Sequence, residues 1–187
     1  TGKDPAAFRL SLANNARAKN VIKKVMKMAN WGVQTDGKSK GIAYSDYNGS
    51  HSAGVAEINL DRKTGKITVS RYYIAVDPGL PILPDNIKAQ IEGAVIYGIS
   101  AALTERVSHS GGIVEQSNFH DYEVLRMVDV PEIFIEILPF GDRPSAVGEL
   151  GLPTTAPAIA NALYQMTGKR VRHMPMNGET VLEALKT

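Results

Sequence analysis

VAEINLDRKTGKITVSRYYIAVDPG, residues 55–79, is the stretch on which the fold class turns. Its first limb belongs to a strand over Ser52–Leu60, with Ala53, Val55, Ile58 and Leu60 apolar and one slip in the alternation. Asp61-Arg62-Lys63-Thr64-Gly65 is a hairpin turn, with glycine at the position that wants positive φ. Ile67–Val76 returns as a second strand, rich in β-branched and aromatic residues, and Asp77-Pro78-Gly79 stops it. An antiparallel pair of this quality needs a helix or a further strand on its apolar face.

Helices are predicted on both sides of the hairpin. Asp4-Pro5 caps and starts one, with Phe8 and Leu12 an apolar i, i+4 pair. Arg17–Ala29 carries Val21, Val25 and Met28 on one face and ends at Asn30-Trp31-Gly32; 32–40 is a loop and a strand begins near Gly41. After the hairpin, Asp85–Arg106 has an apolar stripe (Ile87, Ile91, Val95, Ile99, Ala102, Leu103) interrupted by Gly93 and Gly98, each costing about 1 kcal/mol relative to alanine. A helix keeps such glycines where a backbone or a ligand comes close. Strands at 112–116, 132–138 and Val171–Met174, and helices from Thr155–Pro157 to Gly168 and over Glu179–Lys186, complete the reading. The expected fold is α+β, with mixed or antiparallel sheets and packed helices. Residues 1–187 form one unit, with 1–40 a helical lead-in and 41–187 an α+β lobe.

Composition narrows the function. The 187 residues are 43% hydrophobic and 21% charged, as in an ordinary globular protein. A net charge of +2 gives no reason to expect nucleic acid, and Lys23, Lys24 and Lys27 read as a solvated helix face. No apolar run reaches the ~18 residues of a membrane span. The chain starts without methionine or a signal-peptide core and reads as cut from something longer, so export is open. Without cysteine, the chain has no thiolate for an iron–sulfur cluster, zinc or nucleophilic catalysis. His51, His109, His120 and His173 lack the i, i+4 spacing of a helical metal pair, so no metal ligand is expected among this chain's side chains.

Two places stand out chemically. In Ala146-Val147-Gly148-Glu149-Leu150-Gly151-Leu152-Pro153, a carboxylate sits between glycines in an apolar loop before a helix. Apolar neighbours desolvate a carboxylate, the helix N-terminus favours the anion, and the balance suits a general base. The alternative is a glutamate that only hydrogen-bonds its loop. In Gln90-Ile91-Glu92-Gly93-Ala94-Val95-Ile96-Tyr97-Gly98, the residues Gln90, Gly93 and Tyr97 share one helix face and offer an amide beside a backbone notch. The alternative there is a packed helix with an exposed glutamine.

AVGELGLPTTAPAIANALYQMTGKRVRHMP (146–175) resembles the C-terminal signature of the xanthine oxidase/aldehyde oxidoreductase family of molybdenum hydroxylases. QIEGAVIYGISAAL (90–103) is similar to the family helix whose leading glutamine borders molybdopterin, and residues 55–79 are similar to the paired strands before it. DPAAFR (4–9) and SNFHDYEVLRM (117–127) look most like the isoquinoline 1-oxidoreductase beta-subunit branch of that family. The likeness spans nearly the whole chain. It departs from the family at Leu150, where many relatives have proline, and in lacking the Gly-Gly-Phe-Gly-type loop found elsewhere in the large subunit.

The resemblance implies the C-terminal part of a molybdopterin-binding large subunit, with Glu149 as general base and Gln90, Gly93 and Gly148 against the cofactor. The substrate class is aldehydes or N-heterocycles, oxidised with oxygen from water. The cofactor is molybdopterin with molybdenum, in the cytosine dinucleotide form common to bacterial relatives, completed by the remainder of the large subunit. Iron–sulfur clusters belong to a separate Cys-rich small subunit, and the piece alone is expected to be inactive. Phe119 and Tyr122 are open to a place at the substrate funnel or to plain packing. The competing reading is a non-catalytic assembly module, in which Glu149 and Gln90 do not converge.

Overall fold

The computed structural model describes residues 2–186. Two helices, α1 (Pro5–Leu12) and α2 (Ala16–Met28), come first. The strands β1 (Ser39–Tyr47), β2 (Ser50–Leu60) and β3 (Ile67–Asp77) and the long helix α3 (Pro84–Leu103) follow. A two-stranded ribbon, β4 (His109–Ser110) with β5 (Ile113–Val114), precedes β6 (Glu132–Ile137), α4 (Thr155–Thr167) and α5 (Gly178–Lys186). The fold is α+β, as expected.

The main sheet has the order β1-β2-β3-β6; β1–β2 and β2–β3 are antiparallel and β3–β6 is parallel, with α3 in the crossover. The slip in alternation is a bulge at Glu57/Ile58. Glu57 is buried there, with Lys38 Nζ at 3.1 Å and the Ser70 hydroxyl at 3.2 Å. That pairing satisfies a charge that burial would otherwise penalise, and it ties the 32–40 loop to the sheet.

Both faces of the sheet are covered. On one, Val21, Ile22 and Val25 of α2 pack on Ile42, Val55 and Ala75. On the other, Ile91, Val95 and Ile99 of α3 and Ala158, Ile159 and Leu163 of α4 meet Ala56, Ile58, Tyr72 and Ile74. The helix α4 lies directly on β1 because residue 41 is glycine: a Cβ there would stand 2.1 Å from the Ala162 nitrogen. Asn161 Nδ2 then donates to the Ile42 carbonyl at 3.0 Å.

Several expected elements differ. Leu12 is exposed and does not pack as half of an apolar pair. The helix α3 stops at Leu103, three residues before Arg106. The strand expected at 112–116 is only the exposed two-residue β5. No strand forms over Val171–Met174: Arg170 folds back over the Tyr164 ring at 3.7 Å, and α4 already lies against β1. Of the three lysines expected on a solvated face, Lys24 is engaged by Glu136 at 2.6 Å. Among the described residues, no helix is long and apolar enough to cross a membrane.

Candidate functional site

Glu149 sits on the loop that leaves β6 and enters α4, and that loop is pinned from below. The Ser50 hydroxyl, at the start of β2, meets Ser145 Oγ at 2.7 Å and donates to the Ala146 carbonyl at 2.6 Å. Ser145 N donates to the Pro78 carbonyl at 2.8 Å, joining the loop to the turn after β3. Small residues on this face of β2 let the loop lie down on the sheet, and one of them, Ser52, keeps a buried hydroxyl without a partner.

Leu150 is the peg. It is 0% exposed and belongs to the larger core, and its amide donates to the Val147 carbonyl at 3.3 Å, a bond that a proline could not make. Leu152 N donates to the Glu149 carbonyl at 2.9 Å, and the Thr155 hydroxyl to the Gly151 carbonyl at 3.1 Å, which closes the turn into α4. The Tyr72 hydroxyl, buried beneath, stands 3.0 Å from Thr154 Oγ1; burial pushes that phenol up to about 12.

The two places singled out by sequence meet here. Gln90 Nε2 donates to the Gly148 carbonyl at 2.6 Å, so the α3 glutamine holds the residue preceding Glu149. Gln90, Gly93, Gly148 and Glu149 are all exposed, and an added Cβ at Gly93 or at Gly148 would meet nothing within 4 Å. Neither glycine is therefore required by packing inside this chain. Tyr97, on the same helix face, is also exposed.

One expectation is corrected. Apolar neighbours do not desolvate Glu149 in this chain, because Leu150 is turned into the core while the glutamate itself remains exposed. Sequence reading also missed Tyr47 at the end of β1, whose phenol has its pKa raised by the neighbouring Glu149 carboxylate.

Phe119 and Tyr122 lie elsewhere. Phe119 shares a surface hollow of about 510 Å³ with Ile67 and Leu103, at the far ends of β3 and α3 from the Glu149 loop. The Tyr122 hydroxyl donates to Glu105 at 2.7 Å, just beyond α3. His51 is packed between Tyr44 (Oη to Nδ1, 2.8 Å) and Asn15, on the opposite face of the sheet. Among the described residues, no group of three or more His, Asp or Glu side chains is placed to hold a metal ion.

Residues 8–131 match the family model described as a molybdopterin cofactor-binding domain. The chain is 40% identical over 178 residues to isoquinoline 1-oxidoreductase subunit beta of Brevundimonas diminuta, covering 92% of this chain and 23% of that protein. It is 34% identical to a protein of Gluconacetobacter polyoxogenes named membrane-bound aldehyde dehydrogenase (pyrroloquinoline-quinone), covering 98% of this chain and 26% of the relative. Among solved structures, the aldehyde oxidoreductase from Desulfovibrio gigas is similar with a TM-score of 0.65 at 29% identity, over 74% of this chain and 16% of that one. The chain thus spans about a quarter of the length of these curated relatives.

Proposed function

Because this chain belongs to the molybdenum hydroxylase family, we propose that it is the C-terminal part of a molybdopterin-binding large subunit in which Glu149 is the general base. The observation that carries the reading is the 2.6 Å bond from Gln90 to Gly148, which unites the helix and the loop in one exposed site. A non-catalytic module has no need of that convergence, nor of two glycines that packing does not require.

Gln90, Gly93 and Gly148 are the residues that would hold the cofactor edge. The glutamine spends an N–H on Gly148 and keeps its carbonyl oxygen as an acceptor, and the glycines leave the backbone open to close approach. When bound, molybdopterin with molybdenum supplies the two-electron chemistry for oxidising an aldehyde or an N-heterocyclic carbon; we assign it the cytosine dinucleotide form. Glu149 takes up the proton of the water-derived oxygen at a carboxylate oxygen, which requires it within hydrogen-bond reach of that atom. The remainder of the large subunit covers the site, and a separate small subunit carries the iron–sulfur clusters.

A second surface, away from the Glu149 loop, supports burial of this chain against further polypeptide. Val107, Ile113, Val114, Phe119, Met127 and Val128 are exposed along one segment, the last two by 90% and 89%. Clustered exposed apolar side chains mark surfaces that pack against another body. On this reading the 187-residue chain alone binds little cofactor and is inactive.

The test uses the whole protein. Glu149→Gln is expected to cut turnover by about 10²–10⁴-fold while molybdenum content stays near that of wild type. Turnover at the wild-type rate would remove Glu149 from the chemistry. A whole protein that turns over with pyrroloquinoline quinone and contains no molybdenum would remove the cofactor assignment, and denatured cofactor that releases no cytosine nucleotide would remove its form.

A further inference from the structure

The loop that carries Glu149 hangs from two supports, and one side chain of α2, the helix on the other face of the sheet, holds both. The first support is the turn after β3. Phe140 N donates to the Gly79 carbonyl at 3.1 Å, Leu80 N to the Arg143 carbonyl at 2.9 Å and Ser145 N to the Pro78 carbonyl at 2.8 Å. Loop and turn lie so close that a Cβ on Gly79 would stand 2.2 Å from the Arg143 oxygen. The second support is the tip of the β1–β2 hairpin, where Ser50 meets Ser145 and Ala146.

Arg17, in the first turn of α2, reaches both. Its Nε and Nη2 donate to the Asp77 carboxylate at 2.9 and 2.7 Å, and Asp77 Oδ1 also accepts the Gly79 amide at 3.0 Å, which shapes the turn. Its Nη1 donates to the Gly49 carbonyl at 2.8 Å, next to Ser50. Its Cζ lies 5.4 Å from the centre of the Phe140 ring, where the loop begins. A guanidinium presents its donors in a rigid planar fork, so these contacts fix turn and hairpin tip at one separation. The start of a helix is otherwise a poor place for a cation, since it favours negative charge.

We propose that Arg17 is a positioning residue for Glu149: by binding Asp77 and Gly49 at once, it sets the two supports of the loop and so the place of the base. The inference rests on the assignment of Glu149 as general base. Ser145 is bonded to both supports, through its amide to Pro78 and its hydroxyl to Ser50. Any change in their separation therefore passes into the loop just ahead of Glu149.

Arg17→Lys tests this in the whole molybdenum-loaded protein. Lysine keeps the charge but is a single ammonium on a flexible stem, and cannot bridge the carboxylate and the carbonyl in the same fork. The variant should lower kcat about tenfold, the effect of a shift of about 0.5 Å where 1 Å costs about 10²-fold, with KM and molybdenum content close to wild type. In a Glu149→Gln background it should cost nothing further, because residues that act as a unit are not additive. Amides of the 140–146 segment should exchange with deuterium faster than in wild type while those of α4 keep their rates. Unchanged exchange in 140–146, or equal acceleration in α4, overturns the link from Arg17 to the loop. Wild-type kcat in Arg17→Lys, or the same tenfold loss with and without Glu149, overturns the positioning role and leaves the base assignment standing. Wild-type turnover in Glu149→Gln overturns both.

Discussion

Gly151→Ala probes how tightly the site is built. Residue 151 lies where the loop passes closest to α3: a methyl there would stand 2.8 Å from the Ile91 carbonyl oxygen and 3.0 Å from Ala94 Cβ. Ordinary contact begins at 3.4 Å, so loop and helix must separate by about 0.6 Å, the gap between 2.8 and 3.4 Å. Neither neighbour is a flexible side-chain end. Ile91 is 0% exposed within the helix, and the loop is planted by Leu150, also 0% exposed. Overpacking of this kind costs about 1–3 kcal/mol, or a melting temperature lower by roughly 2–12 °C in a chain of this size. The displaced loop carries Gly148 away from Gln90 and stretches their 2.6 Å bond. Since a misplacement of about 1 Å can cost about 10²-fold in rate, 0.6 Å corresponds to about tenfold in the whole enzyme. The assay is a thermal melt of the chain beside a turnover measurement on the whole protein. Gly148→Ala is the stability control, since its methyl meets nothing within 4 Å. If Gly151→Ala melts within about 1 °C of wild type, the loop is not held against α3 as described.

Three further outcomes follow from single side chains. Arg17 binds Asp77 through two bonds of 2.7 and 2.9 Å, and Asp77 is 1% exposed. Arg17→Ala should cost about 3 kcal/mol, at the low end because 18% of the Arg17 side chain is exposed, and an unchanged denaturant midpoint would contradict this. Gly93→Ala fills open space in the exposed middle of α3; it should stabilise the isolated chain by about 1 kcal/mol and reduce molybdenum content in the whole protein, and unchanged molybdenum would free Gly93 from the cofactor. His51 has its pKa lowered from 6.5 by burial first and by Arg17 second, against Asp77 and Asp46, which raise it. A lowered folded-state pKa means native structure favours the neutral ring, so this stability is present above pH 6.5 and is lost as pH falls through the lower folded value. His51→Gln should flatten the acid-side decline in melting temperature, and a decline of the same slope in the variant would place it on other groups.

What the sequence made legible was local. The hairpin at Asp61–Gly65, the stripe of α3 and the stop of α4 at Gly168 follow from turn chemistry and periodicity. The parallel pairing of β3 with β6 does not, since nothing in EIFIEIL states which edge it joins. The strand expected over Val171–Met174 failed for the same reason: a strand needs an open neighbour as well as a suitable pattern. At the site, Gln90 and Glu149 each stood out by composition, but only the resemblance linked them before the 2.6 Å bond was seen. Tyr47 was not singled out at all. It is an aromatic before the Asn48-Gly49 turn, and the Ser50–Ser145 contact that sets its hairpin tip against the loop joins residues 95 apart.

The failed expectation about desolvation shows how the site's work is divided. Four separate elements converge on the Glu149 loop: β2 through Ser50, the turn after β3 through Pro78, α3 through Gln90, and the core through Leu150. All of them fix position. None takes the carboxylate out of water, because the apolar residues that make the loop rigid point inward and leave Glu149 on the surface. Position and dielectric are separate requirements for a general base, since reach depends on geometry and protonation depends on surroundings. This chain fixes the backbone of the loop by itself. On the proposed function, the second requirement is met by the remainder of the large subunit where it covers the exposed face of Gln90, Gly93 and Gly148.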